Sequence, residues 1–332
     1  MISYTLGVED LADTRFALSP VHETMLSLRV LRDPGRHALL LPWRRSVVDR
    51  LAHLDVDLLL SVVGDRGALP DYLTPRPSIF APSIEAELAL IRATAPAVVR
   101  RDLLAISQAG AGPSLPPRLR AAGGDGDDDA TAQLRDTICD TLAAYWRLAI
   151  EPWWPRLRLL LEADMTYRAR RLAAGGARQL FADMHPSVRW QDGVLSIGNM
   201  IGRWHAPAAG RGLLLMPSVF AHQPAPPVSA EEPPMLSYPC RGVATLWSAP
   251  PPVSAGALVS LLGETRVRLL SLLEEPVPTI ELARRLRVTP SAVSQHLRAL
   301  HATGLVTRAR DGRLVHYRRS ALGDELYRGP RH

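Results

Sequence analysis

The sequence contains no lysine and only two cysteines, Cys139 and Cys240. Two isolated cysteines cannot form a four-thiolate zinc site, and their scarcity is typical of a reducing compartment. The first residues lack the basic and apolar segments of a secretory signal, and no run of about 18 apolar residues could span a bilayer. We therefore predict a cytoplasmic protein with no membrane partner, in which arginine supplies every strong cationic contact.

Motifs of the common enzyme classes are also missing. The sequence has no Gly-x-Gly-x-x-Gly or P-loop motif for nucleotides, and no Gly-x-Ser-x-Gly motif for a nucleophilic serine. Asp125, Asp127 and Asp129 have the spacing of a calcium loop. However, Ala130 stands where that loop needs glycine, and Asp136 stands where it needs a bidentate glutamate. The prediction is a protein that is not an enzyme, with no catalytic residue, no cofactor and no metal site.

Positive charge is concentrated at one end of the chain. Residues 257–332 contain 13 arginines and 7 acidic residues, whereas residues 1–256 contain 26 of each, so the C-terminal part carries the whole formal net charge of +6. A localised positive excess indicates a module that faces a polyanion. The length of 332 residues exceeds one ordinary domain, and it predicts two.

The first 250 residues are predicted to be helical over 1–180 and β-rich over 186–250. A glycine- and aspartate-rich flexible loop is expected at 110–130. Alternation around the Asp192-Gly193 pair predicts a hairpin of residues 188–191 and 194–197. Further strands are predicted at residues 213–216, 235–238 and 243–247. Two helices with serine caps are predicted, at residues 20–31 after Ser19 and at residues 84–93 after Ser83. Residues 39–60 are predicted to contain a helical run that begins at Ser46. Further helices are predicted at residues 97–105, 132–150 and 156–174.

The C-terminal part is predicted to begin with one helix over 258–273. A short helix over 280–286, capped by Thr279, then leads through a tight turn into a helix over 290–301, capped by Thr289. Two short helices joined by such a turn form a helix-turn-helix.

The second of these helices has an apolar face and a polar face. Its apolar residues, Val293, Leu297 and Leu300, recur at helical spacing and are expected to face the core. The polar face carries Ser291, Ser294, Gln295 and Arg298, whose side chains can reach base edges and phosphates. Arg298 could contact either a guanine or a phosphate, and the sequence does not separate the two.

A hairpin is predicted after this helix. Residues 305–309 alternate as a strand, residues 310–313 turn, and residues 314–318 return. This hairpin forms a wing whose tip carries Arg308, Arg310 and Arg313, where they can enter a minor groove or pair with phosphates.

The order, spacing and residue types of "ETRVRLLSLL…TIELARRLRVTPSAVSQHLRALHATGLVTRARDGRLVHYRRS" resemble the ArsR family of bacterial winged-helix regulators, over about residues 257–320. The resemblance implies a homodimer that binds a near-palindromic double-stranded DNA operator, represses, and is released by a signal, which leaves a small-molecule effector open as a further partner. The candidate DNA-contacting residues are Thr289, Ser291, Ala292, Ser294, Gln295, His296, Arg298, Arg308, Arg310 and Arg313.

The sequence departs from the family in two respects. The family's metal sensors carry a Cys-x-Cys pair in the helix that corresponds to residues 279–286, where this chain has no cysteine. Others use carboxylate and histidine pairs on a last helix, where this chain offers only Asp324, Glu325 and His332. Arsenic or zinc sensing through those sites is therefore not expected. Arg287 stands where many such turns use glycine, and a positive φ there would cost about 1 kcal/mol.

The predicted fold class is α+β. A mostly helical domain with a small antiparallel β part, residues 1–250, is expected to serve sensing or dimerisation, and a winged helix-turn-helix follows at 257–325. The segments "SPVHETMLSLRVLRDPGRHALLLPW", "RGLLLMPSVF" and "YPCRGVATLW" resemble the uncharacterised region that precedes the winged helix in some actinobacterial members. Two alternatives stay open: an enzyme with an accessory winged helix, and an architectural DNA-binding protein without sequence preference.

Overall fold

A computed structural model describes residues 1–64, 67–108, 115–200, 202–247, 255–311 and 314–328. The chain divides into two compact units, Met1–Ser248 and Ala249–His332. Within the described ranges, no helix combines the length and the apolar character needed to cross a membrane.

Helices dominate the structure, and three small sheets accompany them. The helices are α1 Val8–Ala12, α2 Pro20–Arg32, α3 Leu41–Val47, α4 Val56–Ser61, α5 Ile84–Arg92, α6 Pro96–Gln108, α7 Pro117–Ala121, α8 Asp128–Tyr145, α9 Trp154–Phe181, α10 Ala255–Leu262, α11 Glu264–Leu272, α12 Thr279–Leu286, α13 Pro290–Ala302 and α14 Ala321–Arg328. The strands are β1 Ile2–Thr5, β2 Arg15–Phe16, β3 Val188–Gln191, β4 Val194–Ile197, β5 Trp204–Pro207, β6 Leu214–Ser218, β7 Met235–Pro239, β8 Val277–Pro278, β9 Val306–Asp311 and β10 Leu314–Arg319. The predicted α+β class is confirmed.

Helix α2 is the central helix of the N-terminal unit. It begins as predicted, because the Ser19 side chain accepts a hydrogen bond of 2.9 Å from the His22 backbone N–H and Pro20 opens the first turn. Its residues are buried nearly all round, which is typical of a helix enclosed by other elements. Trp43 of α3 is fully buried in the same core and donates from Nε1 to the Ala149 carbonyl oxygen at 2.9 Å.

Two local predictions in this unit are wrong. Residues 39–60 do not form one helical run that starts at Ser46, because Asp55 caps a new helix, α4, by accepting from the Leu58 N–H at 3.1 Å. The predicted flexible loop at 110–130 contains α7, and Asp127 caps α8 by accepting from the Ala130 N–H at 2.8 Å. Residues 110–114 of that loop lie outside the described residues.

The predicted hairpin of β3 and β4 is confirmed, and Asp192 and Gly193 both have positive φ, as a type I′ turn requires. The antiparallel character predicted for the whole β part is wrong. Strand β1 lies between β4 and β5 and runs parallel to β5, and β2, β6 and β7 form a parallel sheet. Every residue of β6 is buried, as expected for a strand covered on both faces.

Two further features of this unit concern helical elements. Residues 243–247 form a turn of 3-10 helix instead of the predicted strand. Helix α9 is interrupted at Gly175 and Gly176, whose backbone angles are not helical.

The C-terminal unit consists of α10 to α14 and a three-stranded sheet in the order β8-β10-β9. The single helix predicted at 258–273 is wrong, because Gly263, with φ of 82°, separates α10 from α11. An apolar stripe continues across this break, so periodicity alone does not reveal it. The core of the unit is formed by apolar residues from the helices and the sheet, namely Leu269, Leu270, Leu273, Val277, Leu282, Ala283, Val293, Leu297, Leu300, Leu305, Val306 and Tyr317.

Candidate nucleic-acid interface

The turn between α12 and α13 sets the geometry of the helix-turn-helix. Arg287 adopts the left-handed conformation, with φ of 57° and ψ of 43°. Its N–H donates to the Arg284 carbonyl at 3.3 Å, and the Val288 N–H donates to the Ala283 carbonyl at 3.1 Å, which is a Schellman motif. The predicted cap at Thr279 is wrong: Thr279 is the first residue of α12, and its side chain caps no backbone N–H there.

Helix α13 begins and is oriented as predicted. The Thr289 hydroxyl accepts from the Ala292 N–H at 3.3 Å, and Pro290 occupies the first turn. Val293, Leu297 and Leu300 are at most 1% exposed. Because these three residues fix the rotation of the helix about its axis, the opposite face points to solvent.

That exposed face carries the side chains predicted to contact DNA. Ser291, Gln295 and Arg298 are exposed, and Ala292, Ser294 and His296 are half-buried. The Arg298 Nε lies 3.4 Å from the Ser294 carbonyl oxygen, which is a long and weak hydrogen bond. Within the described part of the chain, the Gln295 side chain has no hydrogen-bond partner. Both the amide and the guanidinium are therefore available to an external ligand.

The wing is formed by β9 and β10, which pair in antiparallel register. Arg308 lies opposite Tyr317 and Arg310 lies opposite Val315, and both arginines are exposed. Two residues apart on one strand, they project from the same face of the hairpin. Arg313, the third arginine predicted at the tip, lies outside the described residues.

Not every arginine of the C-terminal unit is available for DNA. Arg319 is buried, and its Nε lies 2.7 Å from Asp324 Oδ1, while its NH1 donates to the Leu270 carbonyl at 2.7 Å. Its guanidinium also stacks over the Tyr327 ring at 4.8 Å. Sequence reasoning missed this residue, although strand alternation places it on the inward face with Tyr317. Arg319 ties β10 to α11 and α14.

Glu281 neutralises part of the charge on α12. Arg284 and Arg285 donate hydrogen bonds of 2.8–2.9 Å to its carboxylate, and these hydrogen bonds hold the pKa of Glu281 at about 2. The charges of Arg284 and Arg285 are therefore partly offset. No carboxylate among the described residues forms an ion pair with Arg287 of the turn, Arg298 of α13 or Arg308 of the wing.

The left-handed Arg287 leads to a stability prediction. Replacing Arg287 by glycine is expected to stabilise the turn by roughly 0.5–1 kcal/mol, because glycine removes the left-handed strain but is more flexible when unfolded. Native-state hydrogen exchange of the full chain measures this gain at the slowest-exchanging amides of α13. Arg268→Gly in α11 is the matched control, since it removes the same charge from a right-handed helix and is expected to cost about 1 kcal/mol. Equal effects of the two substitutions on stability would contradict a strained left-handed conformation at Arg287.

Comparison with known proteins identifies the family of this region. The model of the "Bacterial regulatory protein, arsR family" matches residues 263–308, which span α11, α12, α13 and the first part of the wing. A Halobacterium salinarum protein named "Putative arsenical resistance operon repressor ArsR" is 38% identical over 74 residues, which are 21% of this chain and 57% of that relative. The chain thus spans little more than half the length of that relative. No solved structure matches the chain significantly. The predicted ArsR-family helix-turn-helix is confirmed in the C-terminal unit.

Proposed function

We propose that this chain is a sequence-specific DNA-binding transcription regulator, acting as a homodimeric repressor that an effector releases. The observation that carries the proposal is the exposed face of α13, where Gln295 and Arg298 stand opposite a fully buried apolar stripe. A glutamine amide can bond an adenine bidentately, and a guanidinium can bond a guanine. Ser291, Ser294, Ala292 and His296 complete the surface that would lie in a major groove.

Phosphate contacts would position this helix. The N-terminus of α13, with Thr289 as its cap, favours a phosphate through its backbone N–H groups and dipole. Arg308 and Arg310 on the wing, and Arg313 shortly after them in the sequence, would add cationic contacts to the adjacent backbone or minor groove. Such contacts supply affinity that falls with salt, whereas the base contacts supply sequence preference.

Dimerisation is supported by the composition of α10. Seven of the eight residues of this helix, AGALVSLL, are apolar or glycine, yet Leu261 is 71% exposed and Val259 is 36% exposed. A helix that is apolar all round is normally buried on all sides. We infer that a second copy of the chain covers this helix, as the two-fold symmetry of a palindromic operator requires.

A charge placed on α10 tests the dimer. Leu261→Glu is expected to shift the full chain from dimer to monomer at micromolar concentration, since a buried carboxylate without a partner is strongly unfavourable. Sedimentation equilibrium measures the mass. Ser271→Glu, which adds the same charge at an exposed position of α11, is the control and is expected to leave the dimer intact. A wild-type chain that is monomeric at all concentrations would disprove the dimer.

Selection of genomic fragments by the full chain, followed by footprinting, tests the regulator itself. We expect an inverted repeat whose half-sites lie about one helical turn apart, in a complex that resists competitor DNA. Equal affinity for unrelated duplexes would instead favour an architectural protein. If the chain binds no duplex at low salt, DNA binding is refuted altogether.

A further inference from the structure

The N-terminal unit contains a cavity of about 450 Å³ next to α2. One side is formed by His22, Leu26 and Arg29 of α2, another by residues 67–74, and a third by the proline-rich segment 223–228. Most of the lining is apolar, with a few polar groups among it. Size and lining are typical of a site for a small organic ligand.

His22 is a polar group in this wall without a partner. It is 5% exposed, and neither ring nitrogen has a hydrogen-bond partner among the described residues. Burial lowers the pKa of His22 to about 3, so the ring is neutral, with one donor and one acceptor nitrogen. Other buried polar groups of α2 are satisfied: Glu23 accepts from the Val219 N–H at 3.0 Å, and the Ser27 hydroxyl lies 2.8 Å from the Tyr145 hydroxyl. The side chain of His22, in contrast, faces the cavity with both ring nitrogens unsatisfied.

Arg29 lies two turns further along α2 and lines the same cavity. Its Nε is buried without a hydrogen-bond partner, and no carboxylate in the described part of the chain forms an ion pair with it. Burial lowers the pKa of Arg29 to about 10, so the side chain is still cationic at neutral pH. A half-buried cation without a counter-charge favours the binding of an anion, and a guanidinium binds a carboxylate with particular geometric fit.

Among the described residues of the lining, the one carboxylate is already engaged. Both oxygens of Asp71 accept hydrogen bonds of 2.8 Å, from the Val228 and Ser229 backbone N–H groups. Backbone hydrogen bonds of 2.8 and 3.1 Å between Ala225 and Ser237 hold the same segment from its other side. Asp71 therefore fixes a wall of the cavity and leaves Arg29 as the group that selects the charge of a ligand.

We propose that this cavity binds a small organic carboxylate with an apolar body, whose carboxylate lies on Arg29 and whose body contacts Leu26, Leu69 and Val228. His22 offers a hydrogen bond to a polar substituent or to the carboxylate itself. Binding is a property of the N-terminal unit alone. The further step, that this carboxylate is the effector that releases DNA, rests on the proposed function.

Three probes of equal chain length but different charge test the site on the full chain: octanoate, octanamide and octylamine. Calorimetry is expected to show one octanoate per chain, with octanamide weaker by about tenfold or more because it lacks the charge-assisted hydrogen bonds. Equal binding of octanoate and octanamide, or tightest binding of octylamine, would overturn the proposal.

Arg29→Met keeps an unbranched apolar stem and removes the guanidinium with its charge. The variant is expected to abolish the preference for octanoate over octanamide, whereas Arg36→Met, at an exposed arginine paired with Asp33, should retain it. Without ligand, Arg29→Met should unfold at the same temperature as the wild type or a higher one, because an unpaired and half-buried charge is removed. Loss of stability would instead identify Arg29 as a structural residue and would contradict a ligand role.

DNA affinity is measured separately, with and without saturating octanoate. Weakened operator binding supports the effector role, and unchanged binding disproves it while the calorimetric result stands. If the wild-type chain binds no operator at all, the proposed function fails, and the preference for octanoate still decides whether the cavity takes a carboxylate.

Discussion

Replacing Arg319 by methionine is expected to destabilise the C-terminal unit by about 2–4 kcal/mol, although the residue contacts no base in the proposed complex. The substitution leaves the Leu270 carbonyl and the partly buried Asp324 carboxylate without the guanidinium that lies 2.7 Å from each. It also removes the stacking over Tyr327. Since β10 would lose its tie to α11 and α14, the wing should open first.

Hydrogen exchange and urea unfolding of the full chain measure this loss. Amides of β9, β10 and α14 should exchange faster, while those of α2 in the N-terminal unit should not change. Arg318→Met is the matched control, because the neighbouring Arg318 is exposed and its Nε donates to the Glu274 carbonyl at 3.1 Å. If both variants are equally stable, Arg319 does not hold the unit together.

The helix-turn-helix could be predicted from the sequence because its determinants are local. The Thr289 cap, the proline after it and the spacing of Val293, Leu297 and Leu300 all lie within one helix, and each is where the prediction placed it. The determinants of the wing are similarly local, since alternating residue types and a turn between two short segments are enough to predict a hairpin. The break at Gly263 was missed because the apolar residues on both sides continue at helical spacing.

The mixed sheets of the N-terminal unit could not be predicted in the same way. Ile2 pairs with Ile197 on one side and with Trp204 on the other. The strands next to β1 therefore come from residues that lie about 200 positions away in the sequence. A period of two identifies a strand but says nothing about its partner or direction. Four-residue strands such as β1 and β5 also carry little pattern.

Buried polar residues are the other class that the sequence does not reveal. His22 and Arg29 read as ordinary members of an amphipathic helix, and only the packing of residues 67–74 and 223–228 around α2 turns them into walls of a cavity. Arg319 contributes to the positive charge of the C-terminal part, yet its side chain is buried and stabilises the unit. Net charge therefore overstates the cations available to DNA.

Replacing both Gln295 and Arg298 by alanine is expected to weaken operator binding by about 10²–10⁴-fold, since each bidentate base contact discriminates by about 1–3 kcal/mol. Fluorescence anisotropy with the selected operator and with a scrambled duplex measures the change. The scrambled duplex should be affected far less, because phosphate contacts at the start of α13 and on the wing remain. Arg268→Ala in α11, an exposed arginine outside α13, is the charge-matched control and should leave both affinities near the wild-type values.

The two single variants separate the roles that the sequence left open for Arg298. If Arg298 contacts a guanine, Arg298→Ala should relax the preference at one base pair and leave binding to the scrambled duplex nearly unchanged. If it contacts a phosphate, both duplexes should weaken together, and the slope of log affinity against log salt should fall by about 0.9. Gln295 carries no charge, so Gln295→Ala should change sequence preference without changing that slope. Equal losses on both duplexes for Gln295→Ala would mean that α13 does not read bases, and sequence-specific recognition through this face would then be refuted.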